Sequence, residues 1–255
     1  MRSRRQFVRL SLTALIPSAR ALAVRPEPAG RPRVALQSAP RVWLPLARTS
    51  ELPPLLDDPS LLGPATGTAA QASAWLAPRA AVVPPPEGYT AYDIAENIVR
   101  AYQLHGEAAG LDWFLAIAQM AHETGSLTNF WSWRPQRNPA GIGVTGAWRT
   151  DQPADTAGWA YNTQRQRWEA GISFPTWESH AVPAHLGRLL AYALRDDQAS
   201  DGQRQMIAYA LSYRSLLSEY RGSAPTITGL NGRWAWPGDN YGQSIVALAR
   251  QMLQG

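Results

Sequence analysis

Hydrophobic residues recur with helical spacing through most of residues 87–255. The first periodic stretch, 90–104, places Ile94 and Ile98 on one face of a helix. Thr90 is a residue type that caps helix N-termini. The same spacing predicts four further helices, at 112–124, 177–194, 202–220 and 240–253.

The predicted helix 112–124 has a clear start and a clear end. Asp112 is a favourable N-cap, and Gly125 stands where a left-handed residue would stop the helix. Phe114 and Ile117 follow helical spacing along an interior that is almost entirely apolar. We therefore expect a buried helix here.

Short strands are predicted in only one part of the chain. Residues 126–156 are rich in Gly, Pro and Trp and are interpreted as loop, whereas 159–162 and 168–174 fit two strands of a hairpin around a polar turn. The fold class predicted from these patterns is mainly α (α+β), with a small β-hairpin.

Composition divides the chain into three parts. Residues 1–23 combine a basic start with a short apolar stretch, which is typical of an export signal, and SRRQFVR at 3–9 resembles the twin-arginine motif. A disordered basic arm is the alternative. Residues 24–86 hold 13 of the 21 prolines and are predicted to be a Pro/Ala-rich linker. The predicted domain is 87–255, which is long enough to bury a core.

Charge is distributed very unevenly along the chain. The formal net charge is +5, but residues 1–48 carry ten arginines and one acidic residue, whereas residues 49–255 carry 14 arginines and 18 acidic residues. The segment 49–255 therefore lacks the basic stripe of a nucleic-acid-binding domain, and we expect no nucleic-acid partner.

No apolar run reaches the length of a membrane span, so no transmembrane segment is expected. The chain has no cysteine, which excludes disulfides and thiolate chemistry.

Two segments match only part of a known functional motif. His122-Glu123 begins like a zinc-protease signature, but position 126 is Ser instead of the second His that the signature requires. The segment 141–146 reads G-x-G-x-x-G, yet no strand precedes it and no helix follows it, so it does not indicate a dinucleotide site. We expect no metal and no cofactor. His180 and His185 are interpreted as surface or packing histidines.

Glu123 is the residue that most directly suggests catalysis. It lies in the last turn of an apolar helix, where the helix dipole disfavours a negative charge and raises the pKa of a carboxyl group. A carboxyl group that stays protonated near neutral pH can act as a general acid. A solvated surface glutamate is the alternative. Nine of the 11 tryptophans lie between Trp113 and Trp236, and exposed indoles are suited to stacking on sugar rings.

Four segments, in the same order, resemble the glucosaminidase domain of peptidoglycan hydrolases (glycoside hydrolase family 73). They are AQMAHETG at 118–125, NPAGIG at 138–143, FPTWES at 174–179 and WAWPGDNY at 234–241. The resemblance implies a lysozyme-like fold, in which a helical lobe and a small β-hairpin lobe flank a glycan groove. It also implies that Glu123 is the catalytic acid.

The same resemblance implies roles for further residues. Glu169, or the 2-acetamido group of the substrate itself, would stabilise the reacting centre; Asp155 is a weaker candidate. The residues expected to bind substrate along the groove include Asn138, Gly141, Trp234 and Tyr241, which lie in the matching segments. They also include Trp131 and Trp133, whose indoles directly follow the Glu123 helix; packing in the core is the alternative for these two. Two positions depart from the family pattern, since Trp234 replaces a tyrosine and the second carboxylate has no clean counterpart.

The function expected from the sequence is that of an exported endo-β-N-acetylglucosaminidase, which cleaves β-1,4 bonds in the glycan strands of peptidoglycan. Its expected location is extracytoplasmic, either secreted or associated with the cell wall. Two alternatives remain open: a muramidase or lytic transglycosylase, and a catalytically inactive peptidoglycan-binding module.

Overall fold

The computed structural model describes residues 57–255, and about half of these residues are helical. The helices are α1 (Ala69–Ala80), α2 (Arg100–Ala109), α3 (Trp113–Thr124), α4 (Val182–Ala193), α5 (Asp201–Tyr213) and α6 (Tyr241–Gln254). The strands are β1 (Trp148–Arg149), β2 (Trp159–Asn162) and β3 (Arg167–Ala170). π-helical segments, Asp93–Val99 and Trp177–Ala181, lead directly into α2 and α4. The predicted class, mainly α (α+β), is confirmed.

Helix α3 forms the centre of the core. Every residue from Trp113 to Ala121 is buried, and the helix packs against α1, α2 and α6. Asp112 caps its N-terminus by accepting hydrogen bonds from the backbone N–H groups of Phe114 (3.1 Å) and Leu115 (3.2 Å). Gly125 ends it at φ 58°, in the left-handed region that glycine adopts without strain. The predicted helix at 112–124 is therefore confirmed with both of its ends.

The three strands form one small antiparallel sheet in the order β1-β3-β2. Glu169 lies in the middle strand, opposite Trp148 on β1 and Ala160 on β2. The hairpin of β2 and β3 is confirmed, although the second strand ends at Ala170 instead of residue 174. Strand β1 lies in a stretch that was predicted to be loop, because two residues are too few to produce an alternating pattern.

Helix α5 ends earlier than predicted. The expected helix 202–220 stops at Tyr213, and Arg214 has an extended backbone whose carbonyl accepts a hydrogen bond from the Arg188 guanidinium (3.0 Å). A separate 3₁₀ turn follows at Ser218–Tyr220. Hydrophobic residues continue beyond Tyr213 because they line a cleft, not because the helix continues.

Residues 57–86 belong to the folded unit, so the predicted domain boundary after residue 86 is wrong. Helix α1 is capped by a reciprocal pair of hydrogen bonds between Thr68 and Gln71, and Trp75 and Leu76 are buried in the core. Alanine favours helix, and Pro78 is tolerated close to the helix C-terminus. The segment therefore contains one short amphipathic helix, which its high proline content does not predict. The predicted export signal 1–23 and the first part of the predicted linker lie outside the described residues.

Within residues 57–255, no helix combines the length and the apolar character needed to cross a membrane.

Candidate functional site

Glu123 lies at the last turn of α3, where the helix leaves the core. The side chain borders an open cleft of about 450 Å³. Burial raises the pKa of this carboxyl group, and the opposing hydrogen bonds from Tyr241 and Trp234 do not cancel the increase. The structure therefore gives Glu123 the protonation behaviour that its position in the sequence predicts.

Tyr241 forms a hydrogen bond with the Glu123 carboxyl group on the side that faces the core. Its hydroxyl donates a hydrogen bond to Oε1 of Glu123 and accepts one from Nε2 of Gln119 (2.8 Å). Only 6% of Tyr241 is exposed, so the residue does not form the open groove surface that was predicted for it. The structure assigns it to a position between the core and the carboxyl group.

The hydrogen bonds continue inward from Gln119 through two more side chains. Oε1 of Gln119 lies 2.9 Å from Nε2 of His185, and Nδ1 of His185 lies 2.7 Å from the Tyr102 hydroxyl. All three of these residues are fully buried. Gln119, His185 and Tyr102 thus connect the centre of the core to Tyr241; we refer to them, with Tyr241, as the buried relay.

With His185 neutral, every side chain of the buried relay has a hydrogen-bond partner, and all the hydrogen bonds run in the same donor-to-acceptor direction. Burial, together with the positive charge of Arg188, lowers the pKa of His185 to about 3, so the ring carries one proton at neutral pH. With that proton on Nε2, His185 donates to Gln119 and accepts from Tyr102, and Gln119 then donates to Tyr241. The relay therefore orients the Tyr241 hydroxyl proton towards Glu123.

Sequence reasoning missed the role of His185, which it interpreted as an ordinary surface or packing residue. The available signal was Gln119, the one amide in the apolar interior of α3, because a buried amide needs partners. The sequence could not identify those partners, since Gln119 and His185 are 66 positions apart. His180, by contrast, pairs locally with Thr176 (2.9 Å).

Five stretches of chain line the cleft, which we call the Glu123 cleft. They are the end of α3, the loop 140–144, part of α4, and two segments from the C-terminal half, at 214–220 and 233–235. Trp234 lines it, and the indole packs against Tyr192 with ring centroids 5.6 Å apart. Three arginines also line the cleft, and among its lining residues Glu123 is the one carboxylate.

Asn138 organises the loop that forms the floor of the Glu123 cleft. Its side-chain amide donates to the carbonyls of Ile142 (2.8 Å) and Ile172 (2.9 Å), and its oxygen accepts from the N–H of Ile142 (2.9 Å). It is fully buried, so Asn138 shapes the floor without presenting polar atoms to a substrate. Gly141 lines the cleft directly, at φ 60°.

Glu169 lies in a different pocket from Glu123. This second pocket, of about 290 Å³, is lined by Trp131 and Glu169 among others, and it borders the Glu123 cleft at Val144. Burial opposes ionisation of Glu169, but hydrogen bonds from Arg167 (2.9 Å) and Arg165 (3.1 Å) outweigh it and lower its pKa. The structure therefore does not bring the two predicted carboxyl groups into one cavity.

The remaining predicted residues divide between surface and core. Trp131 lines the second pocket, whereas Trp133 packs edge-on against Phe130 and its indole N–H is buried. Asp155 is exposed and accepts a hydrogen bond from the N–H of Ala157 (2.8 Å). Trp236, beside Trp234, is 89% exposed, which makes it a more accessible stacking surface than any indole proposed from sequence.

The described residues contain no cluster of three or more His, Asp or Glu side chains that could hold a metal ion. No known protein family, curated protein or solved structure matches this chain. The candidate site therefore rests on its own residues and their geometry.

Proposed function

We propose that this protein is a glycoside hydrolase of peptidoglycan, with Glu123 as its general acid. The observation that carries the proposal is the Glu123 carboxyl group itself, which is buried enough for its pKa to be raised and is nevertheless open to a cleft large enough for sugar rings. The resemblance of four segments to the glucosaminidase domain supports the same assignment and favours an endo-β-N-acetylglucosaminidase.

The proposed reaction begins with proton transfer from Glu123 to the glycosidic oxygen of the leaving sugar. Oε1 accepts the Tyr241 hydroxyl, which leaves the other carboxyl oxygen to carry the transferable proton. As the bond breaks, the sugar gains oxocarbenium character and Glu123 becomes a carboxylate. The Tyr241 hydrogen bond then stabilises the new negative charge, because a donor interacts more strongly with a carboxylate than with a carboxylic acid.

The second catalytic group is proposed to come from the substrate. Glu169 is paired with Arg165 and Arg167 and lines the neighbouring pocket, so it is poorly placed to act beside Glu123. The 2-acetamido group of an N-acetylated sugar can stabilise the oxocarbenium-like carbon without a protein nucleophile. This explanation fits a cleft whose lining holds one carboxylate.

The position of Glu123 at the end of a helix also supports a lytic transglycosylase or a muramidase as the second candidate function. Enzymes of these kinds also use a glutamate at a helix end, and they differ in the bond that is cut and in whether water attacks. In each case we propose a lysozyme-like arrangement, in which the helices and the three-stranded sheet flank the glycan. Export to the cell wall is proposed on the sequence of residues 1–23 alone.

The test of this function is turnover of purified peptidoglycan by the wild type and by Glu123→Gln. General acid catalysis contributes about a hundredfold or more, so release of soluble fragments should fall by at least that factor in the variant. Glu107→Gln is the matched control, because Glu107 is exposed on α2, away from the cleft, and the substitution makes the same chemical change. Equal turnover in wild type and Glu123→Gln would remove Glu123 from the mechanism.

Mass spectrometry of the released fragments separates the candidate reactions. N-acetylglucosamine at the reducing ends supports the glucosaminidase, whereas N-acetylmuramic acid indicates a muramidase and its anhydro form a lytic transglycosylase. Binding to insoluble peptidoglycan with no released fragments from the wild type would contradict all three and indicate an inactive binding module.

A further inference from the structure

The wall of the Glu123 cleft is positively charged. Arg188 on α4, Arg214 after α5 and Arg233 in the C-terminal segment all line it. The one acidic lining residue, Glu123, has a raised pKa and contributes little negative charge when protonated. The cleft therefore presents guanidinium groups whose charge the cleft itself does not neutralise.

Arg188 is the most unusual of the three arginines. It is 8% exposed, and no Asp or Glu among residues 57–255 forms an ion pair with it. Burial lowers its pKa, and the positive charge of Arg214 lowers it further. A buried charge normally has a partner of opposite sign, because removing it from water is costly.

The surroundings of Arg188 fix its position without neutralising it. One guanidinium nitrogen donates to the carbonyl of Arg214 (3.0 Å), and the guanidinium carbon lies 5.7 Å from the ring centroids of both Tyr192 and Trp234. Three half-buried arginines have acidic partners instead, namely Arg134, Arg167 and Arg221; Arg134, for example, pairs with Asp93 (2.8 Å). An arginine that is buried beside an open cleft, with no acidic partner among residues 57–255, is suited to bind an anion from outside.

We propose that Arg188 and Arg214 form a subsite that binds a carboxylate group carried by the substrate, next to the sugar whose bond is cleaved. The proposal rests on the function proposed above, since it names which glycans the cleft prefers. Guanidinium groups match the planar carboxylate with paired hydrogen bonds, and the burial of Arg188 strengthens those that it forms. Arg233, at the exposed edge, adds positive charge at the cleft entrance.

The carboxylates of peptidoglycan strands belong to two chemical groups. A peptide-free strand carries the lactyl carboxylate of N-acetylmuramic acid, whereas in a strand with stem peptides that group is an amide and the carboxylates lie on the peptides. Chitin oligomers have the same backbone without either group. These three ligands therefore separate the two groups from the neutral glycan.

Binding is measured by calorimetry on the Glu123→Gln protein, so that the ligands are not consumed. The probes are chitotetraose, the peptide-free GlcNAc–MurNAc tetrasaccharide, and the same tetrasaccharide with stem peptides. We expect at least one carboxylated tetrasaccharide to bind about tenfold more tightly than chitotetraose, the scale of one charge-assisted hydrogen-bonded pair. Preference for the peptide-free form identifies the lactyl group, and preference restricted to the peptide-bearing form identifies the stem.

The Arg214→Gln substitution, added to the same protein, should reduce that preference about tenfold. Arg100→Gln is the control, because Arg100 is an exposed arginine on α2 that lines a different cavity. Arg214 is also exposed, so its substitution should not prevent folding. Added salt should weaken the preference of the parent protein independently of any further substitution.

The outcomes distinguish this proposal from the proposed function. No preference in the parent, or a preference that Arg214→Gln leaves unchanged, overturns the carboxylate subsite even if the wild type hydrolyses peptidoglycan. An Arg214-dependent preference in the Glu123→Gln protein, together with a wild type that releases no fragments, keeps the subsite and overturns the hydrolase.

Discussion

The carboxyl group of Glu123 is subject to two opposing influences. Burial favours its protonated form, and the hydrogen bond from the Tyr241 hydroxyl favours its ionised form. A general acid needs both, because it must hold a proton in the free enzyme and tolerate a negative charge after transfer. Tyr241 can supply the second effect over a wide pH range, since burial raises the pKa of its own hydroxyl well above the usual value.

Tyr241→Phe should therefore shift the pH dependence of the reaction. Removing a donor from the carboxylate raises the pKa of Glu123 further, and the protonated form then persists to higher pH. We expect the alkaline limb of the kcat/KM profile on peptidoglycan to move to higher pH. The maximal rate should fall, because the transition-state carboxylate loses its donor.

Tyr92→Phe is the control for this profile, because Tyr92 is 71% exposed and lies on another part of the chain. A limb that stays in place, or moves to lower pH, would contradict the role assigned to Tyr241. Gln119 loses an acceptor in the Tyr241→Phe variant, so its melting temperature should also be recorded.

At the scale of single residues, the sequence points to Glu123, the proposed general acid, but not to the side chains that surround it. Glu123 could be singled out because helix position alone predicts a raised pKa. Arg188 and His185 give no such signal, because the roles proposed for them depend on which residues lie beside them after folding. The family resemblance implies a role for Glu169, but the arginines that pair with it are neighbours in sequence whose side-chain directions the sequence does not fix.

Among the elements, α3 does most to position the site. Its apolar interior fixes it in the core, Asp112 fixes its start, and Gly125 ends it where the Glu123 side chain reaches the cleft. These features are local in sequence, and the helix was predicted with both ends. The cleft walls at 214–220 and 233–235 are irregular segments positioned by long-range contacts, so periodicity could not place them.

Asp112→Ala should destabilise the whole fold through this helix. The carboxylate accepts hydrogen bonds from the N–H groups of Phe114 and Leu115 and also from Thr66 (3.2 Å), and all three donors lose their partner in the variant. We expect the free energy of unfolding in urea to fall by about 2 kcal/mol.

Asp112→Asn tests whether charge or hydrogen bonding matters at this cap. Burial raises the pKa of Asp112 to about 6, so the ionised form is disfavoured inside the protein. Asparagine keeps an acceptor oxygen without the charge. It should therefore retain most of the stability that alanine loses. Equal losses in the two variants would contradict the capping explanation.

For the whole molecule, the folded unit starts earlier than the proline content of the sequence suggests. The backbone of Leu61 bonds to Pro225 (2.9 Å) and to Asp112 (2.9 Å), so a segment before α1 joins parts of the chain that are far apart in sequence. Composition is an average over a whole segment. A few apolar side chains that become buried do not change this average when they stand among many prolines and alanines. Contacts between distant residues decide the boundary, and one sequence does not display them.

A chain that begins at residue 87 should consequently fold poorly, whereas one that begins at residue 57 should fold cooperatively. The shorter chain loses Leu61, Trp75 and Leu76, each no more than 4% exposed. Burial of one large apolar side chain contributes about 1.5–3 kcal/mol to the free energy of unfolding. The loss of three such side chains is therefore comparable with the total stability of a typical domain, which is about 5–15 kcal/mol. The partners of these side chains on α3 and α6 would also become exposed to water. Urea unfolding followed by circular dichroism compares the two chains directly, and equal midpoints would restore the boundary at residue 86 and make α1 dispensable.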